Sequence, residues 1–185
     1  MTWRPPERDP YVDLADDAAL REAVSARQDE RRRREVAAEL ATWTGTLRDL
    51  AEREVPVVVR VAGAATHRGV LAAVGVDHLA VRLHARTIAL VALEVVRSVR
   101  PEPGQVAPVA TGDRERSQDR TLIEALALAA ERRQRISVAF RDVDELVVGL
   151  LIGLGEDVLT LRPEGSDRGT IYAPMHAVRE VLLET

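Results

Sequence analysis

The chain has 185 residues, 46% hydrophobic but only 3% aromatic, with no cysteine and a formal net charge of −4. That length holds one ordinary domain or two small ones, and the cores must be built from Val, Leu and Ala. The composition excludes a disulfide framework or thiolate metal site, a helix of the roughly 20 apolar residues that spans a bilayer, and bulk neutralisation of nucleic acid. All 26 basic side chains are Arg, and there is neither Lys nor Asn. An arginine in this chain therefore carries less functional meaning than usual.

Residues 1–13, with prolines at 5, 6 and 10, read as an unfolded lead-in without the apolar segment of a signal peptide. A helical arm is expected over 14–45, charged in its first half. Val36, Leu40, Trp43, Leu47 and Leu50 then recur at spacings of four and three, a helical seam with heptad character. It either lies on the domain that follows or meets a partner. Thr46 and Asp49 have the spacing of a capping box that would restart a helix after Gly45. Pro56 ends the helical reading.

From there the pattern is extended. Val57, Val59 and Val61 alternate with Val58, Arg60 and Ala62, the period of a strand. Further strands are expected over 66–74, near Leu79 to Leu83, and twice within "RTIALVALEVVRSV". Residues 101–120 mix Pro, Gly, Thr and charge without periodicity and read as a linker. Thr121 and Glu124 then form a capping box that opens a second helix. After it the strand pattern repeats. "GVLAAVGVDHLAVRL" from Gly69 returns as "GLLIGLGEDVLTLRP" from Gly149, and "IALVALEVVRSV" returns as "TIYAPMHAVREV". The expected organisation is a first barrel over 46–100 and a second over 121–185, because a small apolar sheet must bend and close to hide its face and edges. Gly69 and Gly149 would relieve bends, and Gly75 and Gly155 would make turns.

The order helix, "VPV", strand, turn, "RGVL", turn with Asp, strand and closing "AxxxV" resembles the Sm-like fold, and within it the bacterial Hfq branch. "YAPMHAVREV" is similar to the Hfq signature "YKHAIS" at Tyr172, His176, Ala177 and Val178, although its Tyr-to-His spacing is two residues longer. The first copy has Glu94 where the second has His176. The resemblance implies a mainly β protein with helices, made of two tandem Sm-like, SH3-like barrels, each preceded by a helix, plus the N-terminal arm. It also implies RNA among the ligands and assembly into a homo-oligomer.

Chemistry-bearing patterns are few. His67, His78, His84 and His176 match no zinc spacing. Gly153-Leu-Gly155 lies between strands and opens no helix, as a phosphate loop requires. "RDVDE" at 141–145 lacks the glycine and distal glutamate of a calcium loop. Asp77 and Asp157, at equivalent turns, either cap turn amides or contact a ligand. Arg31, Arg32, Arg33 and Arg34 form either a solvated face or a contact for RNA phosphates or an acidic partner. Tyr172 and His176 are candidates for base stacking, or Tyr172 completes a core rim. Val36, Leu40 and Trp43 are candidates for a protein partner. The expectation is a cytoplasmic, non-enzymatic module without cofactor or metal, associated with RNA or, alternatively, acting only in protein assembly.

Overall fold

The computed structural model describes residues 10–84, 86–104, 120–143, 145–165 and 169–184. A long helix, α1 (Pro10–Glu39), takes in positions 10–13 of the expected lead-in and is followed by α2 (Trp43–Glu52). The restart is capped by Thr42, whose hydroxyl accepts from the Gly45 N–H at 3.0 Å, and not by Thr46. Asp49 is buried within α2 and pairs with Arg53 at 3.1 Å. Five strands follow: β1 (Pro56–Val61), β2 (Thr66–Val74), β3 (His78–His84), β4 (Thr87–Ala92) and β5 (Val96–Pro101). Then α3 (Leu122–Glu131) leads β6 (Arg135–Phe140), β7 (Leu146–Leu154), β8 (Val158–Pro163), β9 (Ile171–Pro174) and β10 (Val178–Glu184). Thr121 and Glu124 cap α3 reciprocally, as expected. Most of the expected lead-in and linker, residues 1–9 and 105–119, lies outside the described residues.

The two copies fold alike. The first repeat runs in the order β5-β1-β2-β3-β4 and the second in the order β10-β6-β7-β8-β9. Both ladders slip at matching places, Leu71/Ala73 and Leu151/Gly153, and both carry a short 3-10 turn before their last strand, Leu93–Val95 and Met175–Ala177. The expectation of two separate closed barrels is corrected here. All ten strands form one antiparallel sheet that does not close, because β10 pairs with β4. The register is Glu180 with Val91, Val181 with Leu90, Leu182 with Ala89, Leu183 with Ile88 and Glu184 with Thr87. A lone first repeat would leave the edge of β4 bare, and sheets seldom do so.

Two cores lie on either side of this joint. Leu47, Leu50, Val57, Val59, Leu71, Leu79 and Val91 belong to the first. Leu122, Leu126, Ile136, Val138, Leu151, Leu159 and Val181 belong to the second, which also takes in Ala73, Ala80 and Leu90 from the first repeat. Leu182 packs in return against the first core. The apolar faces that a separate barrel would expose are thus used by its neighbour.

Candidate functional site

Loops from both repeats meet at one end of the joint. The β2–β3 turn brings Asp77, whose Oδ1 accepts the backbone N–H of Leu122 at 2.7 Å. The Val76 N–H donates to the Arg120 carbonyl at 3.0 Å. Asp77 therefore holds the first turn of α3, where a helix end has unpaired donors and favours negative charge. It does not merely cap its own turn. Beside it Glu94 forms an ion pair with Arg141 from the second repeat. The hydrogen bond from Arg141 holds the Glu94 carboxyl below its usual range, and the nearby His176 acts in the same direction.

These groups line a cleft of about 430 Å³ that also includes Glu156, Asp157 and His176. Four carboxylates thus face one guanidinium and one imidazole. A smaller cleft of about 240 Å³ lies on the other side of the same ion pair and is lined by Arg97, Arg141 and Arg179 with Glu94 and Asp142. The Nε atoms of Arg141 and Arg179 are buried there with no hydrogen-bond partner among the described residues. Arg179 reaches Glu180 at 3.3 Å, and Glu180 in turn meets His67 Nε2 at 2.5 Å. Glu180 is buried. Burial pushes its pKa up, but the hydrogen bond from His67 and the charges of His67 and Arg179 outweigh this and hold it below the ordinary value.

Among the residues singled out from the sequence, His176 is exposed and lines the larger cleft. Tyr172 does not line it. It lies on β9, the outermost strand of the second repeat, 72% exposed. Arg31, Arg32 and Arg33 are exposed on α1, with Arg31 paired to Glu35 at 2.9 Å; the side chain of Arg34 lies outside the described residues. The apolar seam divides. Leu47 and Leu50 enter the first core, whereas Val36, Leu40 and Trp43 are exposed.

Neither a protein-family model nor a curated protein matches this chain. Among the described residues, no three His, Cys, Asp or Glu side chains gather as metal ligands, and no helix is long and apolar enough to cross a membrane. The sequence reading missed Arg97, Arg141, Arg179 and the His67–Glu180 pair. Those partners are up to 113 residues apart, and only the β4–β10 joint brings them together. The one local signal was Glu180 itself, a carboxylate in a strand whose Val178, Val181 and Leu183 are buried.

Proposed function

We propose that the protein is a non-enzymatic assembly module, cytoplasmic, in which two Sm-like repeats are fused edge to edge to present strands to protein partners. The matching strand orders, with helices α2 and α3 leading each repeat, support the Sm-like part of this reading. The observation that carries the function is the outer edge of β9. Among the described residues it pairs with no further strand, and it bears Tyr172, 72% exposed. An open edge with an aromatic anchor suits recognition by strand addition, in which the backbone supplies hydrogen bonds and side-chain pockets supply selectivity.

RNA association is the second reading. It is favoured by the three guanidinium groups of Arg97, Arg141 and Arg179 in the smaller cleft, which suit phosphate oxygens. It ranks second because Asp77, Glu94, Glu156 and Asp157 surround His176 in the larger cleft and repel a phosphate backbone.

A photo-crosslinking amino acid placed at position 172, and separately at 97, distinguishes the two in cells. Adducts at 172 that survive nuclease treatment and contain protein support assembly. Nuclease-sensitive adducts at 97 support RNA. The absence of any adduct at 172 would overturn the first reading.

A further inference from the structure

The two repeats differ on the outer face of the helix that leads each of them. Counted from the capping Thr42 and Thr121, Arg48 and Asp49 of α2 match Ala127 and Leu128 of α3. Arg48 and Asp49 are 7% and 0% exposed, whereas Leu128 is 54% exposed and Ala127 beside it is exposed too. The β2–β3 and β7–β8 turns differ in the same way. Gly75 is buried, and a Cβ on it would fall 2.7 Å from the Arg120 carbonyl oxygen. That carbonyl accepts the Val76 N–H at 3.0 Å. Gly155 is exposed, and among the described residues a Cβ there would meet only Val158 of its own turn. The first repeat is covered where the second is open, yet the charged pair lies on the covered face and the apolar pair on the open one. Burial by residue type runs the other way.

The open face is a groove of about 520 Å³ between α3 and the β7–β8 turn. Ile123, Ala127, Ala130 and Leu154 give it apolar walls, and Glu124, Glu131 and Glu156 are its charged members. Among the described residues no basic side chain lines it. Leu128 stands one turn from Glu124 and from Glu131 on the same helix and widens the apolar surface. The larger cleft at the joint shares Ile123 and Glu156 with the groove and adds Asp77 and Asp157. Negative charge therefore continues past the end of the groove.

Apolar walls among carboxylates select a partner that brings apolar side chains and cations together. The first repeat shows how chain lies on the matching surface. Arg120 approaches Gly75 and Val76 through its backbone, and Thr121 after it is extended, with φ −78° and ψ 166°. We propose that the groove of the second repeat binds an extended, arginine-bearing segment of another protein. Its apolar residues lie against Ile123, Ala127 and Leu154, and its guanidinium groups meet Glu131 and Glu156. The Glu156 N–H donates to a carbonyl of the segment, as the Val76 N–H donates to Arg120. Arginine suits the place because its stem covers apolar surface while its head pairs with a carboxylate. Glu124 already closes the α3 cap through its Oε2 and contributes charge alone. Tyr172 does not line this groove, so the contact is separate from strand addition at β9 and does not depend on it.

Three short synthetic peptides test this against the full-length chain. One alternates Arg and Leu, a period that suits an extended segment and not a helix; the second has Glu for every Arg, and the third has Ala for every Leu. In fluorescence anisotropy the Arg–Leu peptide should bind saturably, with a dissociation constant on the order of 10–100 μM, and more weakly as salt rises. The other two should bind roughly tenfold more weakly or worse. Glu131→Arg and Glu156→Arg should each weaken the Arg–Leu peptide roughly tenfold and strengthen the Glu–Leu peptide, a gain that a damaged fold would not give. Ala127→Trp, which fills the groove, should abolish binding of both. Glu22→Arg, exposed on α1, changes the net charge equally and should leave the affinity as it is. No saturation by the Arg–Leu peptide up to about 1 mM, equal binding of its Ala twin, or an equal loss from Glu22→Arg would overturn the proposal. Wild-type multimers that the peptide dissolves would put a second copy in the groove and overturn the choice of an outside partner.

Discussion

Gly69 and Gly149 have no room for a methyl group. A Cβ on either would fall closer than 3.0 Å to backbone atoms of the facing strand, the Arg82 carbonyl in one repeat and the Arg162 carbonyl in the other. Neither backbone can move without disturbing its ladder. Gly149→Ala should therefore cost about 1–3 kcal/mol, the usual range for overpacking, whereas Gly153→Ala, whose Cβ would meet Thr160 at an ordinary 3.8 Å, should change little. Denaturant midpoints of the two variants measure the difference. These glycines were legible in the sequence because both copies keep them, although as bend-formers; their actual role is to permit close approach of two strands. Glu180 was not legible in this way, because its partner His67 lies on a different repeat. A carboxyl held lower in the folded than in the unfolded chain adds stability that is complete above the unfolded value and is lost as pH falls through the folded one. Stability should thus decline on acidification below the ordinary carboxylate pKa of 4.5. Glu180→Gln should remove part of that decline, as urea titrations at stepped pH would record; an unchanged slope would refute the assignment.

Each helix that leads a repeat begins and ends by the same device. Thr42 and Thr121 cap the starts. At the ends, Val55 and Gln134 donate to the Leu50 and Ala129 carbonyls, and Glu54 and Arg133 donate to Ala51 and Ala130, the paired bonds of a Schellman motif. That motif needs a left-handed residue, and here Glu54 and Arg133 supply it with φ of 50° and 49°. Glycine adopts this conformation without the steric cost of a side chain. Arg133→Gly should therefore raise stability by about 1 kcal/mol, and Thr121→Ala should lower it by a similar amount; thermal unfolding of the two variants would show opposite shifts. The Thr121 cap could be read from the sequence because Glu124 completes its box. The Thr42 cap was missed because Gly45 stands at the matching position and returns no side-chain bond. Thr46 and Asp49 had the right spacing, but Asp49 is buried and occupied by Arg53. The spacing of a box identifies a cap only where its acidic member remains outside the core.

At the scale of the molecule, the repeat and most strands followed from period-two alternation and recurring turns, both properties of short stretches of chain. The joining of β4 to β10 did not. Edge pairing is decided by which apolar surfaces remain uncovered after each repeat folds, and Leu90, Ala80 and Ala73 alternate along their strands like any half-buried residues. Only their assignment to the second core shows that they are interface residues. This arrangement makes folding a joint affair. The two repeats share a ladder and an apolar cluster, so neither can unfold without stripping the other's face. Calorimetry should show one transition whose van't Hoff and calorimetric enthalpies agree. Leu90→Ala sits in the first repeat but empties space in the second core, and it should lower that single transition by the equivalent of about 2–5 kcal/mol. Proteolytic nicking within 105–119 should leave two fragments that co-elute under native conditions and separate in denaturant. Two resolved transitions, with Leu90→Ala shifting only one of them, would instead mean that each repeat has a stability of its own and that the shared sheet contributes little to it.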